Sequence, residues 1–132
     1  MVYVDPSAII AIFAEEDDAE SLLLRLHSHR DRAISVVGLI EAGLGLGKII
    51  KDYDQGAKLA RSFCEEMRIE ILAVPVEIFE DVMLATVRYG KGTGHPAKLN
   101  FGDRFSYAFT RRLGTRILFK GNDFAHTDLD PA

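Results

Sequence analysis

Apolar residues fall along this chain in short runs of two kinds. Val2-Tyr3-Val4, Ala33-Ile34-Ser35-Val36, Ile69 to Val74 and Arg116-Ile117-Leu118-Phe119 are brief and rich in β-favouring residues, the pattern of buried strands. Between them lie longer stretches with helical spacing. Asp5-Pro6-Ser7 sets a capping acid before a proline at the first helical position. A buried helix is therefore expected through Ala8 to Ala14, broken by Glu15-Glu16-Asp17-Asp18. Further helices are expected near Ala19 to Arg30, over Val37 to Ile50 and Asp54 to Arg68, and from Pro75 to about Tyr89. Gly43, Gly45 and Gly47 in the third of these permit close packing at some cost in propensity. Gly90, Gly92, Gly94 and Pro96 make a loop. Asn100-Phe101-Gly102-Asp103 then opens a last helix, with Gly114 as its C-terminal cap, and Lys120 to Ala132 shows no regular period.

Four short apolar strands separated by helices predict an α/β fold, because parallel strands need crossovers and helices supply them on both faces of the sheet. A chain of 132 residues with 48% hydrophobic residues supports one domain, a single three-layer unit spanning 1–132. Cys64 is the sole cysteine, so no disulfide can form and a reducing cytoplasm is the expected location. No apolar run approaches the ~20 residues that span a bilayer, and Met1 leads straight into Val2-Tyr3-Val4. A soluble, unexported protein without membrane partners is expected.

The net charge of −4 is unevenly spread. The segment from Arg88 to Lys120 holds Arg88, Lys91, Lys98, Arg104, Arg111, Arg112, Arg116 and Lys120 against one acid, Asp103. A basic segment inside an acidic protein hints at an anionic ligand.

In open parallel sheets, sites form at the carboxyl ends of strands. Asp5 ends the first strand, Glu41 lies in the helix after the second, Asp103 opens the penultimate regular element, and Asp123 follows the last strand. Each has an ordinary explanation: Asp5 as a cap, Asp103 as a first-turn acid, Asp123 as a turn residue. Glu41 is harder to explain so, because its neighbours at helical spacing, Val37, Gly38, Leu44 and Gly45, form a stripe expected to face the core. Burying an unpaired carboxylate costs several kcal/mol. No cation obviously belongs beside all four acids, so a divalent metal is the economical neutraliser. Oxygen ligands without a Cys or His set select Mg²⁺ or Mn²⁺.

Competing motifs fail on inspection. Ala42 to Ile49 lacks the first glycine of a phosphate-binding loop and has Ile49 where Ser or Thr should follow Lys48. Neither glycine cluster completes GxGxxG, since Lys48 and His95 stand in the last glycine's place. His27, His29, His95 and His126 form no metal motif and read as surface residues, and Cys64 on an apolar helical stripe reads as core filling.

Val4-Asp5-Pro6-Ser7-Ala8, Glu41, Leu99-Asn100-Phe101-Gly102-Asp103 with Phe105-Ser106-Tyr107-Ala108, and Leu118-Phe119-Lys120-Gly121-Asn122-Asp123-Phe124 with Thr127-Asp128 resemble the PIN domain, and specifically the VapC ribonuclease toxins of bacterial type II toxin–antitoxin pairs. The resemblance spans essentially the whole chain. It implies a three-layer α/β/α fold with a parallel sheet of four or five strands. It also implies metal-dependent hydrolysis of RNA phosphodiesters, with Mg²⁺ or Mn²⁺ polarising phosphate and water. Asp5 and Asp103 would be the main metal ligands, and Glu41 and Asp123 would complete the catalytic pocket. Ser7 matches a small hydroxyl residue beside the first acid, and Pro6 stands where threonine is common. Asn122 occupies a position that is often Asp in relatives, so the fourth acid is Asp123 by best fit, with Asp128 as a supporting group. Lys98, Arg104 and Arg111 would steer the RNA backbone.

The resemblance further implies a homodimer and a VapB-type antitoxin that blocks the site. Leu22, Leu23, Leu26, Leu39, Ile40 and Leu46 suit such an interface or an ordinary core equally. Two rival readings stand beside this one. A non-catalytic module of the same fold would bind RNA or protein through Arg88 to Lys120 without metal. A phosphoryl-accepting signalling domain would need an acceptor Asp after a central strand, where this chain has Pro75 after Ile71-Leu72-Ala73-Val74.

Overall fold

The computed structural model describes every residue from Met1 to Ala132. Four strands, β1 (Val2–Val4), β2 (Arg32–Ser35), β3 (Ile69–Leu72) and β4 (Arg116–Leu118), form one sheet in the order β3-β2-β1-β4, every pair parallel. Val2 pairs with Arg32 on one side and Arg116 on the other, and Val4 pairs with Leu118. The carboxyl ends of all strands therefore lie along one edge. The central β1 is wholly buried, as a strand covered on both faces must be.

Six helices make the outer layers: α1 (Pro6–Phe13), α2 (Ala19–His27), α3 (Val36–Ile50), α4 (Tyr53–Glu66), α5 (Ile78–Tyr89) and α6 (Phe101–Leu113). Their starts follow the local chemistry. Asp5 caps α1 ahead of Pro6, Ser35 caps α3 by accepting from Gly38 N at 3.1 Å, and Asp52 caps α4 through Gln55 N at 3.1 Å. Gly114 ends α6 in the left-handed conformation, as expected. Helices α3 and α4 pack through glycine. A Cβ on Gly56 would stand 2.3 Å from Gly47 N and 2.6 Å from the Gly43 carbonyl, so the two backbones approach where no side chain intervenes.

The core joins Tyr3, Ile9, Leu22, Leu26, Ile34, Leu99, Ile117 and Leu118, all buried. Leu22, Leu26 and Leu46 thus belong to the core, Leu23 and Leu39 pack partly against it, and Ile40 stays exposed.

Several boundaries differ from expectation. β3 stops at Leu72 because Ala73 and Val74 lead outward to Pro75, and Pro75-Val76-Glu77 is a turn, so α5 begins only at Ile78. α2 stops at His27, three residues short of Arg30. The tail is less irregular than its sequence suggests. Asp123–His126 forms a 3-10 turn, and beyond it Ile117 N donates to Asp130 O at 3.0 Å while Ala132 N donates to Ile117 O at 2.8 Å. This bridge to Pro131 covers the free edge of β4 without adding a fifth strand. No helix is long and apolar enough to cross a membrane.

Candidate active site

The carboxyl edge of the sheet gathers the acids. Asp5 is only 3% exposed, immediately beyond β1. Its Oδ2 accepts from Ser7 N at 3.0 Å and its Oδ1 from Ser106 Oγ at 2.5 Å. Burial pushes its carboxyl above the ordinary range, opposed by the Ser106 and Ser7 hydrogen bonds and reinforced by the charge of Asp123. Asp123 comes within the field of Asp5 because of how β4 leaves the sheet. Asp5 N donates to Leu118 O at 3.0 Å, and Lys120 N donates to Ser7 Oγ at 3.0 Å. The segment leaving β4 is pinned to the start of α1, and Asp123 opens the 3-10 turn just after it.

Asp103 occupies the third position of α6 in a reciprocal cap: Asn100 N donates to its Oδ2 at 3.1 Å, and its own N–H donates to Asn100 Oδ1 at 2.9 Å. The ordinary and the chemical readings of this acid hold together, since the cap occupies one carboxylate oxygen and leaves the other. Its carboxyl is pushed up to about 7, chiefly by burial and then by the charges of Asp5, Asp123 and Glu41, against the Asn100 hydrogen bond. Glu41 is half-buried and likewise raised, by burial first and then by Asp5. Its stripe is not uniformly interior. Gly38 is buried, but Leu44 is 54% exposed, so the carboxylate sits at the rim of the core.

Glu41 reaches the cluster because Gly102 has no side chain. A Cβ there would stand 1.7 Å from Glu41 Oε1. Gly102, Asn100 and Ser106 were not singled out as site residues by sequence reasoning. A hydroxyl one turn after Asp103 on an otherwise apolar, aromatic helix face was the available signal for Ser106.

Every ion pair in the chain lies elsewhere: Lys58–Asp54, Arg61–Glu65, Arg111–Asp128, Arg112–Asp81 and Lys120–Asp18. Four carboxyl groups thus share one edge, three of them raised, with no protein cation beside them. No three acids or imidazoles stand at ligand spacing as the side chains lie. The donors themselves are all oxygens, the set suited to Mg²⁺ or Mn²⁺.

Lys98 is exposed in the loop before α6, and Arg104 Nε donates to Leu99 O at 3.0 Å, which anchors its guanidinium one residue beyond Asp103. Asp128 accepts from Tyr107 Oη at 2.6 Å and from Arg111 Nη1 at 2.7 Å, so it clamps the tail that carries Asp123 to α6. The basic segment is less free than its sequence implies, since Arg111, Arg112 and Lys120 are all paired and Arg116 begins β4 at the opposite edge. Cys64 is buried, as expected of core filling, and its thiol is pushed up to about 11, mainly by burial. His95 packs edge-on against Tyr89.

The family profile described as the PIN domain matches residues 2–129. Ribonuclease VapC42 of Mycobacterium tuberculosis is 34% identical over 129 residues, covering 98% of this chain and 97% of the relative. The chain belongs to the PIN-domain family and, within it, to the VapC proteins. Ribonuclease VapC28 of the same organism is 36% identical over 132 residues, covering 98% of this chain and 96% of its own. Among solved structures, the sarcin–ricin loop cleaving toxin VapC20 of Mycobacterium tuberculosis superposes with a TM-score of 0.77 at 18% identity, covering 100% of this chain and 98% of that one. A toxin–antitoxin complex from Klebsiella pneumoniae gives 0.66 at 17% identity, covering 95% and 91%. These two establish the three-layer PIN fold with its four-stranded parallel sheet. In this VapC chain, Asp5 directly follows β1, Glu41 lies within α3, Asp103 stands in the first turn of α6 and Asp123 opens the 3-10 turn after β4.

Proposed function

We propose that this chain is a metal-dependent endoribonuclease toxin of the VapC type, restrained by a VapB-like antitoxin. The observation that carries the reading is the cluster of Asp5, Glu41, Asp103 and Asp123, three of them raised and none ion-paired, at the carboxyl edge of a PIN-domain sheet. An uncompensated carboxylate cluster costs stability, and a bound divalent cation offsets that cost.

Asp5 and Asp103 are the proposed metal ligands, each with one oxygen fixed by a backbone N–H. Glu41 and Asp123 complete the pocket and hold water for the attack. The ion, Mg²⁺ or Mn²⁺, supplies Lewis-acid polarisation of the scissile phosphate. Ser7 holds both Asp5, through its N–H, and the segment between β4 and Asp123, through its Oγ. Lys98 and Arg104 offer positive charge to the RNA backbone, and Asp128 keeps the tail in place.

Two exposed apolar faces fit the proposed partners. Val76, Phe79, Met83 and Phe101 line a groove between the starts of α5 and α6, and Ile40, Leu44 and Tyr53 line another on α3 and α4. Patches of this kind mark protein contacts, and a second copy of the chain and an antitoxin segment are the proposed occupants.

The test is cleavage of a small-RNA pool by protein freed of antitoxin, with Mn²⁺, Mg²⁺ or EDTA, beside folded Asp5→Asn and Asp103→Asn variants. Discrete metal-dependent products, absent with both variants, are expected. Retained RNA binding without cleavage, identical in wild type and variants, would replace this reading with the non-catalytic module.

A further inference from the structure

We infer that Ser106 is a positioning residue for the cation site: its buried hydroxyl sets the orientation of the Asp5 carboxylate, and so the affinity for the divalent ion. The inference rests on the metal-dependent reading above.

A serine inside a helix ordinarily returns its hydroxyl to the carbonyl one turn back. Thr110 does this on the same helix, donating to Ser106 O at 2.7 Å. Ser106 does not. It is 1% exposed, among Tyr107, Ala108 and Phe109, and its Oγ leaves α6 to donate to Asp5 Oδ1 at 2.5 Å. Alanine at such a position would favour the helix and avoid burying a polar group. The hydroxyl therefore answers to the carboxylate rather than to the helix.

The geometry fixes Asp5 from two sides. Ser7 N holds Oδ2 from α1 and Ser106 Oγ holds Oδ1 from α6, so the carboxylate plane cannot turn without breaking one bond. Each oxygen keeps lone-pair capacity for a cation. Ser106 also stands one turn beyond Asp103, on the same helix face, so the bond that orients Asp5 fixes α6 and its acid relative to β1.

Further hydroxyls extend this arrangement to the third acid-bearing element. Tyr3 lies on β1, facing Ser106, and donates to Ser35 Oγ at 3.0 Å. Ser35 N in turn donates to Tyr3 Oη at 3.1 Å, and Ser35 Oγ caps α3, the helix of Glu41. No buried side-chain polar atom lacks a partner. Buried hydroxyls thus tie α6 to Asp5 at the end of β1, and β1 to the start of α3, the elements that carry three of the acids.

The experiment measures Mn²⁺ affinity of the full chain by electron paramagnetic resonance of free Mn²⁺, together with thermal midpoint and single-turnover cleavage. Wild type binds and Asp5→Asn does not, if the underlying reading holds. Ser106→Ala is expected to weaken Mn²⁺ binding about tenfold while remaining folded, with its thermal midpoint lowered by the loss of one buried hydrogen bond. Its cleavage rate should fall at limiting Mn²⁺ and recover at saturating Mn²⁺, with the KM for RNA unchanged because a buried hydroxyl cannot touch RNA. Ser106→Cys, nearly isosteric but a weak donor, should behave like the alanine variant. Ser106→Thr, which keeps the hydroxyl, should bind like wild type; if its added methyl unfolds the protein, the Ala and Cys variants decide. Wild-type Mn²⁺ affinity in folded Ser106→Ala and Ser106→Cys, with Asp5→Asn still inactive in binding, would overturn the inference alone. Absence of Mn²⁺ binding by the wild type would overturn the metal reading beneath it, and the inference with it.

Discussion

Replacing Asp103 with asparagine should stabilise the metal-free protein while abolishing its function. The Asp103 carboxyl is held at about 7, against roughly 3.9 in an unfolded chain. Taken at face value, that difference of about three pH units is worth about 4 kcal/mol. The group is partly open to water, and screening reduces the figure to about 1–2 kcal/mol. The sign follows from proton linkage. A carboxyl whose folded value is raised costs nothing below the unfolded value near pH 4, costs progressively more as pH rises towards 7, and costs its full amount above 7. Asparagine keeps an oxygen to accept from Asn100 N, so the cap of α6 survives. In EDTA at pH 8, Asp103→Asn should melt roughly 4–8 °C above wild type. At pH 5 the gap should shrink to about a third in free energy, and below pH 4 it should vanish. Added Mn²⁺ should raise the wild-type midpoint and leave the variant's unchanged. Scanning calorimetry across this pH series makes the comparison, and a variant less stable than wild type at pH 8, or a gap independent of pH, would refute the electrostatic account.

Other perturbations probe separate parts of the structure. Gly102→Ala puts a Cβ where Glu41 Oε1 now lies, so the glutamate must swing away; cleavage should fall on the order of 100-fold with unfolding free energy nearly unchanged, checked by single-turnover kinetics and urea titration. Gly56→Ala drives a Cβ into the backbone of Gly47 and Gly43, which cannot yield, and should cost about 1–3 kcal/mol in urea unfolding without touching the carboxylates. Asp128→Asn keeps an acceptor for Tyr107 but loses the half-exposed Arg111 pair, so it should cost no more than about 1 kcal/mol and leave Mn²⁺ affinity intact. Phe79→Asp charges the groove between α5 and α6; light scattering should show a dimeric wild type and a monomeric variant if a second copy covers that face.

Local chemistry made much of the fold legible along the chain. Asp5-Pro6, Asn100 with Asp103, and Gly114 mark helix ends by rules that act within a few residues, and the structure keeps all three. The short runs at Val2-Tyr3-Val4 and Arg116-Ile117-Leu118 identified buried strands, because parallel strands covered on both faces are apolar throughout. Boundaries moved where longer contacts intervened. α5 starts at Ile78 because its predecessors turn outward beside Pro75, and the tail is ordered by pairing with Ile117, a partner with no mark on the tail's own sequence.

The sequence by itself determined the order of strands and helices and singled out four candidate acids, since capping, burial pattern and motif spacing are short-range properties. Only the tertiary structure decided how those acids are held. Ser106 lies 101 residues from Asp5, Lys120 lies 113 from Ser7, and Gly102 makes room for a glutamate sixty-one positions earlier. It also decided which charges are spent, pairing Arg111, Arg112 and Lys120 with distant acids while leaving Asp5, Glu41, Asp103 and Asp123 without a cation. Electrostatic energy depends on distance through space and on burial, and neither quantity exists until the parallel sheet brings the ends of its strands to one edge.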